Sequence, residues 1–423
     1  MHTRYVRIFL VFALACVQIT AVVAQQAGFE LVVSSSSGLR WIPVDSDYSF
    51  TQRFRASFGA NTLLGDQGRI RVLAFAEYTP GPDAFLDGEY LIDLEQLYVE
   101  VQSPDVFGGL AVYRLGRYSF RDRTGRIAVH PADGLRIRGD FGSSIFRMDA
   151  GYTGLVLLPS SRILLTSEDA LLQASTADDA VFGPGRLLTR SGYGRRNERG
   201  SEWGVELFTQ WDLPNVMPPA DLNAGPSYHS AFLTVYSETP ISDLLVLNAS
   251  AIVGTGAAFP EPILSEIEFS ILAEAFLEYY PGADTRNILT FAWIAASSEA
   301  TGLSDYRPVT PLTLGRVEPV PAAGHTQFSA SWATRPFIAG ALSGLQIVLD
   351  SRGIFRLGRT QISELVNDDT ESVYLGLDSG LSLRYRPVSD LSLLASVFAY
   401  LPGSGLTVSS PVLSGRLQFA LSF

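Results

Sequence analysis

Segments of about ten residues in which apolar and polar side chains alternate recur along most of this chain, and that period of two restricts its fold more than any other feature. Along Tyr48–Ala60, Tyr48, Phe50, Phe54, Ala56 and Phe58 share one face while Thr51, Arg53, Arg55 and Ser57 share the other. In Arg69–Tyr78, Ile70, Val72, Ala74, Ala76 and Tyr78 oppose Arg69, Arg71 and Glu77. Further on, Ile267, Phe269, Ile271, Ala273, Ala275, Leu277 and Tyr279 oppose Glu266, Glu268, Ser270, Glu274 and Glu278. Thr326, Phe328, Ala330 and Trp332 oppose His325, Gln327, Ser329 and Ser331, and Val373, Leu375, Leu377, Leu381, Leu383 and Tyr385 oppose Tyr374, Asp378, Ser382, Arg384 and Arg386. A soluble sandwich also alternates, because each strand there buries one face. Segment length and number favour strands that cross a membrane, as do the aromatics near segment ends (Tyr48, Tyr78, Tyr279, Tyr280, Tyr385, Tyr400), placed where an interfacial girdle would lie.

Composition agrees. Hydrophobic residues make up 47% of the chain and charged residues 17%. Beyond the N-terminal stretch, however, no apolar run reaches the ~18 residues of a membrane helix, so the apolar content must be spread over strands. The expected fold is all-β: a transmembrane antiparallel up-and-down β-barrel.

Connection lengths test that expectation, since such barrels alternate short turns on one rim with longer loops on the other. Short connections fall at Leu63–Gln67, Ser103–Gly108, Gly142–Ser144, Thr239–Ser242, Gly282–Asp284, Ala339–Gly340 and Pro387–Ser389. Longer ones fall at Ser37–Asp47, Arg121–Ala132, Leu213–Pro226, Thr255–Leu264, Glu299–Gly324 and Gly353–Thr370. With both chain ends on one rim, the two series lose step between Pro159 and Gly200. One additional strand near Leu187–Tyr193, turning at Arg195–Arg199 into Ser201–Leu213, restores the phase and brings the count to about eighteen, with sixteen the alternative. Alternation also switches near Glu95-Gln96, and Arg114 and Arg117 fall on opposite faces, so a bulge is expected in each of these two strands. The Pro159–Gly200 stretch mixes charges with Leu164, Leu165, Leu171 and Leu172. It fits either a constriction loop folded into the lumen or a surface loop.

At the N-terminus, Arg4 and Arg7 precede the apolar stretch Ile8–Ala15, and Ala21-Val22-Val23-Ala24 offers small residues for cleavage before Gln25. The expectation is a signal peptide over residues 1–24 and a single barrel domain over 25–423. Cys16 permits a competing lipoprotein reading, disfavoured because Ala13 stands where such a box usually carries Leu. Cys16 is also the only cysteine, which leaves the remainder without disulfide or thiol chemistry.

The stretch Leu94-Glu95-Gln96-Leu97-Tyr98-Val99-Glu100-Val101, followed by Tyr113-Arg114-Leu115-Gly116-Arg117-Tyr118, resembles a hairpin of bacterial outer-membrane porins and porin-like channels. Tyr118 stands where those channels carry glutamine, and Arg121-Asp122 where many carry Trp-Gly. The resemblance implies that Arg117 faces the pore. His130-Pro131-Ala132-Asp133-Gly134 is similar to a loop-to-strand junction of such channels. Within the final strand, Leu413–Phe423, the stretch Leu417–Phe423 is similar to the terminal recognition strand of such channels, a resemblance that implies a barrel-assembly signal at Leu417, Phe419, Leu421 and Phe423. That strand should close the wall against a first strand near Phe29–Ser35. The resemblance implies a porin-type channel in a bacterial outer membrane for small hydrophilic solutes or ions, with membrane lipid and the barrel-assembly machinery as partners. Oligomeric state stays open, a homotrimer among the options.

Thirty-one basic against 43 acidic residues give a net charge of −12, which argues against nucleic acid as a partner. Every basic residue other than histidine is arginine. On the polar faces Arg53, Arg55, Arg69, Arg71, Arg136, Arg138 and Arg147 gather early in the chain, and Glu266, Glu268, Glu274 and Glu278 line one later strand. As pore-lining groups they would set a field across the lumen; alternatively they pair among themselves and merely keep the lumen polar. For an enzyme, His130 beside Asp133 is the best candidate, but no nucleophile elbow, metalloprotease motif, Cys cluster or phosphate loop accompanies it. No cofactor is expected, and Asp178-Asp179 and Asp368-Asp369 make no calcium motif. The alternative function is a surface barrel whose outer loops bind a partner while its lumen is occluded.

Overall fold

The computed structural model describes residues 28–42, 47–80, 89–106, 108–174, 181–215, 227–259, 268–282, 286–357, 372–405 and 410–423. The leader expected over residues 1–24, with Cys16, lies outside them, as do Glu266, Asp178-Asp179 and Asp368-Asp369. Among the described residues twenty strands follow one another: β1 Gly28–Ile42, β2 Asp47–Leu64, β3 Gly68–Thr79, β4 Glu89–Val106, β5 Gly109–Arg121, β6 Val129–Phe141, β7 Ser144–Tyr152, β8 Arg186–Arg196, β9 Glu202–Asp212, β10 Ser227–Ser242, β11 Leu245–Phe259, β12 Glu268–Tyr279, β13 Ile288–Ala296, β14 Thr313–Leu314, β15 Val320–Pro321, β16 His325–Thr334, β17 Leu345–Arg356, β18 Tyr374–Val388, β19 Leu391–Pro402 and β20 Val412–Ser422. Among the described residues one α-helix, α1, spans Ser167–Ala174. The short β14–β15 pair stands apart, and the other strands form one 18-stranded sheet.

Each wall strand pairs antiparallel with its neighbours, and β1 pairs with β20 to close the wall. Val33 lies opposite Leu421, the Phe423 N–H donates to the Leu31 carbonyl at 2.8 Å, and the Leu31 N–H donates back at 3.2 Å. Closure leaves no open edge there, which is the condition for strands to cross lipid. The strand inserted to restore phase is β8, and its turn leads into β9 as expected. Three connections are tighter than the sequence indicated, because β1 continues to Ile42, β11 to Phe259 and β17 to Arg356.

Residues paired across a ladder share a face, so the faces can be followed around the wall. The outer face carries Leu31, Val33, Leu39, Trp41, Phe50, Phe54 and Phe58 on β1 and β2, all exposed. The bulge expected in β4 is present: Leu73 faces Gln96 while Ala74 faces Leu94, which leaves Glu95 as the extra residue. The bulge expected within Ala111–Phe120 is absent, the β5–β6 register running unbroken from Leu110 opposite Asp140 to Arg121 opposite Val129. An unforeseen bulge lies in β18. Ile354 faces Gly376 and Phe355 faces Tyr374, so Leu375 is the extra residue; it leaves the outer row of Leu377, Leu381 and Leu383 and is buried inside. Gly376, with φ at 156°, permits the phase change.

The interior is filled at the level of the long connections. Inward side chains Leu188, Phe208, Phe232, Ile252, Leu272, Ile294, Ile354, Tyr400 and Val412 pack with Ile127, Ile163, Tyr306, Val309, Leu314, Val317 and Val320 from segments folded into the barrel. Phe120, Phe208, Phe232 and Tyr306 form an edge-to-face series with centroid separations of 5.8, 6.1 and 6.1 Å.

Candidate functional site: the constricted lumen

Among the described residues three connections enter the lumen: Asp122–Ala128 between β5 and β6, part of Thr153–Gly185 between β7 and β8, and Ser297–Gly324 between β13 and β16. Asp122 organises the first of these. Its carboxylate accepts the backbone N–H groups of Thr124 (3.1 Å), Gly125 (2.8 Å), Arg126 (3.2 Å), Ile127 (3.0 Å) and Ala128 (2.8 Å), together with the Thr124 hydroxyl at 2.6 Å. A buried segment without ladder partners must satisfy its amides in some such way, and here one side chain serves five of them.

The segment is then tied to the opposite wall. Arg126 Nε donates to Glu274 of β12 at 2.7 Å, and Glu274 also accepts from Ser250 at 2.9 Å. The Arg123 N–H reaches Glu206 of β9 at 2.8 Å, and its guanidinium lies 3.2 Å from Glu202 and 3.5 Å from Glu238. Behind it stands the third segment. Thr310 N–H donates to the Ile127 carbonyl at 3.1 Å, the Thr310 hydroxyl accepts from Val129 at 3.1 Å, and the Tyr306 hydroxyl donates to the Arg126 carbonyl at 3.3 Å. Burial pushes the Tyr306 hydroxyl well above its ordinary pKa, so it stays a neutral donor.

The β14–β15 turn is anchored on the remaining wall. Asp378 accepts the backbone N–H groups of Arg316 and Val317, Arg316 pairs with Asp350 at 2.8 Å, and Glu318 pairs with Arg40 at 2.6 Å. The second segment is held by Arg186, whose guanidinium binds Asp169 of α1 at 2.7 Å and also Asp212. Thus the Pro159–Gly200 stretch divides: Arg186–Arg196 is wall, and Ile163 joins the inner apolar layer.

Two cavities flank the Asp122 segment. On the short-turn side lies one of about 630 Å³ whose lining includes Arg69, Arg114, Arg121, Arg123, Arg136, Arg138, Arg147 and Arg190 against Glu100, Asp122 and Asp140. Arg69, Arg114, Arg123, Arg136 and Arg190 are ion-paired with Glu100, Asp149, Glu202, Glu206 and Glu238, so the lining's excess positive charge rests on Arg121, Arg138 and Arg147. On the other side a cavity of about 470 Å³ is bordered by Arg126, Ser161, Arg162, Gln173, Thr310 and Leu312.

The residues singled out from sequence fall as follows. Arg53, Arg55, Arg69, Arg71, Arg136, Arg138 and Arg147 lie on the inward face. Arg53 pairs with Glu77 at 3.3 Å, Arg55 with Glu95 at 2.8 Å, Arg69 with Glu100 at 2.6 Å and Arg136 with Asp149 at 2.9 Å. Arg138 and Arg147 sit directly opposite each other on β6 and β7, and among the described residues neither has a carboxylate within 4.0 Å. Glu268, Glu274 and Glu278 face inward from β12; Glu278 accepts the Tyr280 hydroxyl at 2.6 Å. Arg117 is placed differently from the resemblance: it lies in the wall, paired with Asp133 at 2.8 Å. Leu417, Phe419 and Leu421 lie on the outer face of β20, with Leu417, Phe419 and Phe423 exposed. His130 is not joined to Asp133; its ring contacts the Pro131 carbonyl at 2.6 Å and the Ser161 hydroxyl at 3.2 Å. Among the described residues no group of three or more His, Cys, Asp and Glu could hold a metal ion.

Asp122, Arg126 and the Ser297–Gly324 segment were missed. The cues were present: an aspartate two residues before Thr-Gly marks a side-chain-to-backbone turn, and Val309, Leu312, Leu314, Val317 and Val320 are too apolar for an exposed loop.

Neither protein-family models nor curated proteins match the sequence. Solved structures do match. Pseudomonas aeruginosa OccK9 (OpdG) shares 11% identity and a TM-score of 0.58 over 95% of this chain and 99% of its own. OccK11 (OpdR) from the same organism shares 10% and 0.57 over 94% and 96%. The complex of its OccK2 (OpdF) with glucuronate shares 11% and 0.57 over 94% and 98%. Eighteen antiparallel strands closed through β1 and β20, and overlap with these structures over 94–95% of the chain, give it the fold of the outer-membrane porins.

Proposed function

We propose that the protein is a porin-type channel of a bacterial outer membrane that passes small hydrophilic solutes by passive diffusion and favours anions. The observation that carries this reading is the facing pair Arg138 and Arg147 in a cavity lined by eight arginines and three carboxylates. Like charges directly opposite on a ladder are destabilising, so the pair makes physical sense where water and mobile anions fill the space beside it. The Asp122 segment narrows the route, and Arg126 and Glu274 form the rim of the narrowing, so bore and field come from the same few residues. A fold neighbour crystallised with glucuronate, a carboxylate sugar, is in keeping with such a solute class. In this reading residues 1–24 direct export, the wall meets lipid, and the β20 side chains ending in Phe423 are read by the assembly machinery.

The apolar layer that spans the interior from Phe120 to Val412 favours a second reading, an occluded barrel that serves as a surface receptor. Swelling of proteoliposomes in sugars of graded size separates the two. Size-dependent permeation supports the channel; no permeation through folded, reconstituted protein supports occlusion.

A further inference from the structure

The wall is not paired along its whole height. The β4–β5 ladder ends at Leu97 opposite Arg117, yet both strands continue, β4 back to Glu89 and β5 on to Arg121. Among the described residues Glu89–Gln96 has ladder pairing with β3 alone and Tyr118–Arg121 with β6 alone, while the Leu94 and Arg121 carbonyls accept from the side chains of Arg117 and Arg190. Two local irregularities part the strands at the same level. The extra residue Glu95 bends β4, and Gly116 on β5 adopts φ at 123°, where any side chain would meet the Leu97 carbonyl at 2.2 Å.

Arg117 sits at the fork. It shares the outer face with Leu97 and Asp133, but its guanidinium reaches into the gap. It donates to Asp133 at 2.8 Å, to the Leu94 carbonyl of β4 at 3.3 Å and to the Leu155 carbonyl at 2.9 Å, and lies 3.8 Å from Asp93 of β4. It therefore ties β5 to β4 across the gap in their ladder, beside the continuous β5–β6 pairing, and reaches the segment after β7 as well. An ionised group at such a level in a lipid-facing wall is costly, and here Asp133 and the Leu94 and Leu155 carbonyls offset that cost. Ser119, on the far side of the fork, alternates with the inward Tyr118 and Phe120 yet borders the arginine-lined cavity.

We propose that the barrel wall parts between β4 and β5, with Arg117 as the latch, giving the lumen a side opening toward the membrane near the rim of long connections. An amphipathic solute would exchange through it between the arginine-lined cavity and the lipid. The inference rests on reading the chain as a membrane barrel, but not on axial conduction, so its test is separate from the swelling assay.

In a Cys16→Ser chain, Ser119→Cys carries a small fluorophore, with Leu233→Cys on the fully paired β10 as the lipid-facing control. The side opening predicts that the Ser119 probe is quenched both by iodide and by acyl-brominated lipid, while the Leu233 probe is quenched by the lipid alone. Arg117→Ala should raise iodide quenching at Ser119 about twofold or more, and Arg117→Lys should not restore the latch, since an ammonium cannot span the same acceptors. Hydrogen exchange on the unmodified protein gives a second readout: amides of 91–96 and 118–121 that face the gap should exchange about tenfold or more faster than those of β16 and β17. Quenching of Ser119 by one agent only, or protection of these amides equal to that of β16 and β17, overturns the proposal.

Discussion

Replacing Asp122 with alanine removes the acceptor for five backbone N–H groups and one hydroxyl in a single stroke. At a net worth of about 1 kcal/mol per hydrogen bond, the five amides alone amount to about 5 kcal/mol. Since about 1.4 kcal/mol is tenfold in an equilibrium, that shift moves the segment about three to four decades toward disorder. Ile127 and Ala128, fully buried, would lose their fixed positions, and Arg126 would no longer be aimed at Glu274. The wall strands lose the Arg126–Glu274 tie but keep their ladders, because the Asp122 carboxylate bonds only within its own segment. Asp122→Ala should therefore give channels of higher and noisier single-channel conductance in planar bilayers, with barrel melting almost unchanged. Asp122→Asn, which keeps one acceptor oxygen, should fall between. Wild-type conductance and noise in the alanine variant would refute the assignment of Asp122 as organiser of the narrowing.

Arg126→Gln and Glu274→Gln should each raise the sugar size limit in swelling assays, and the double variant should add little to either, since one contact is being removed. Phe208→Ala, in the middle of the inner aromatic series, should cost about 3–5 kcal/mol locally and loosen the apolar layer, seen as faster exchange of the Thr310 and Ala322 amides. Phe423→Ala should slow folding into lipid vesicles supplied with assembly machinery while leaving the conductance of folded protein unchanged, because Phe423 is exposed and its closure bonds to Leu31 are made by backbone.

The wall was legible because period-two alternation encodes it directly: Arg53 and Arg55, or Glu274 and Glu278, had to share a face whatever the barrel enclosed. Strand number followed from loop lengths, with β8 inserted to keep them in step. The interior was not legible by that logic. Side chains such as Phe208, Phe232 and Ile252 interrupt the polar face, and a rule that makes the inner face wet cannot anticipate an apolar layer packed against inserted segments. Bulges were readable only where they break a clear pattern. The phase switch at Glu95 announced itself, whereas Leu375 fitted the outer row on paper and turned inward because Gly376 allows it. Ion pairing was hidden for a similar reason. Arg69 with Glu100 and Arg136 with Asp149 are set by register across neighbouring strands, which local sequence does not specify, and the same register leaves Arg138 facing Arg147.

The reversal potential of the reconstituted protein in a salt gradient tests the central claim most directly. Anion selectivity that falls markedly in the Arg138→Gln, Arg147→Gln double variant is the result predicted from the facing pair and the arginine-lined cavity around it. Cation selectivity in the unaltered protein, or a reversal potential that ignores the double substitution, would contradict it.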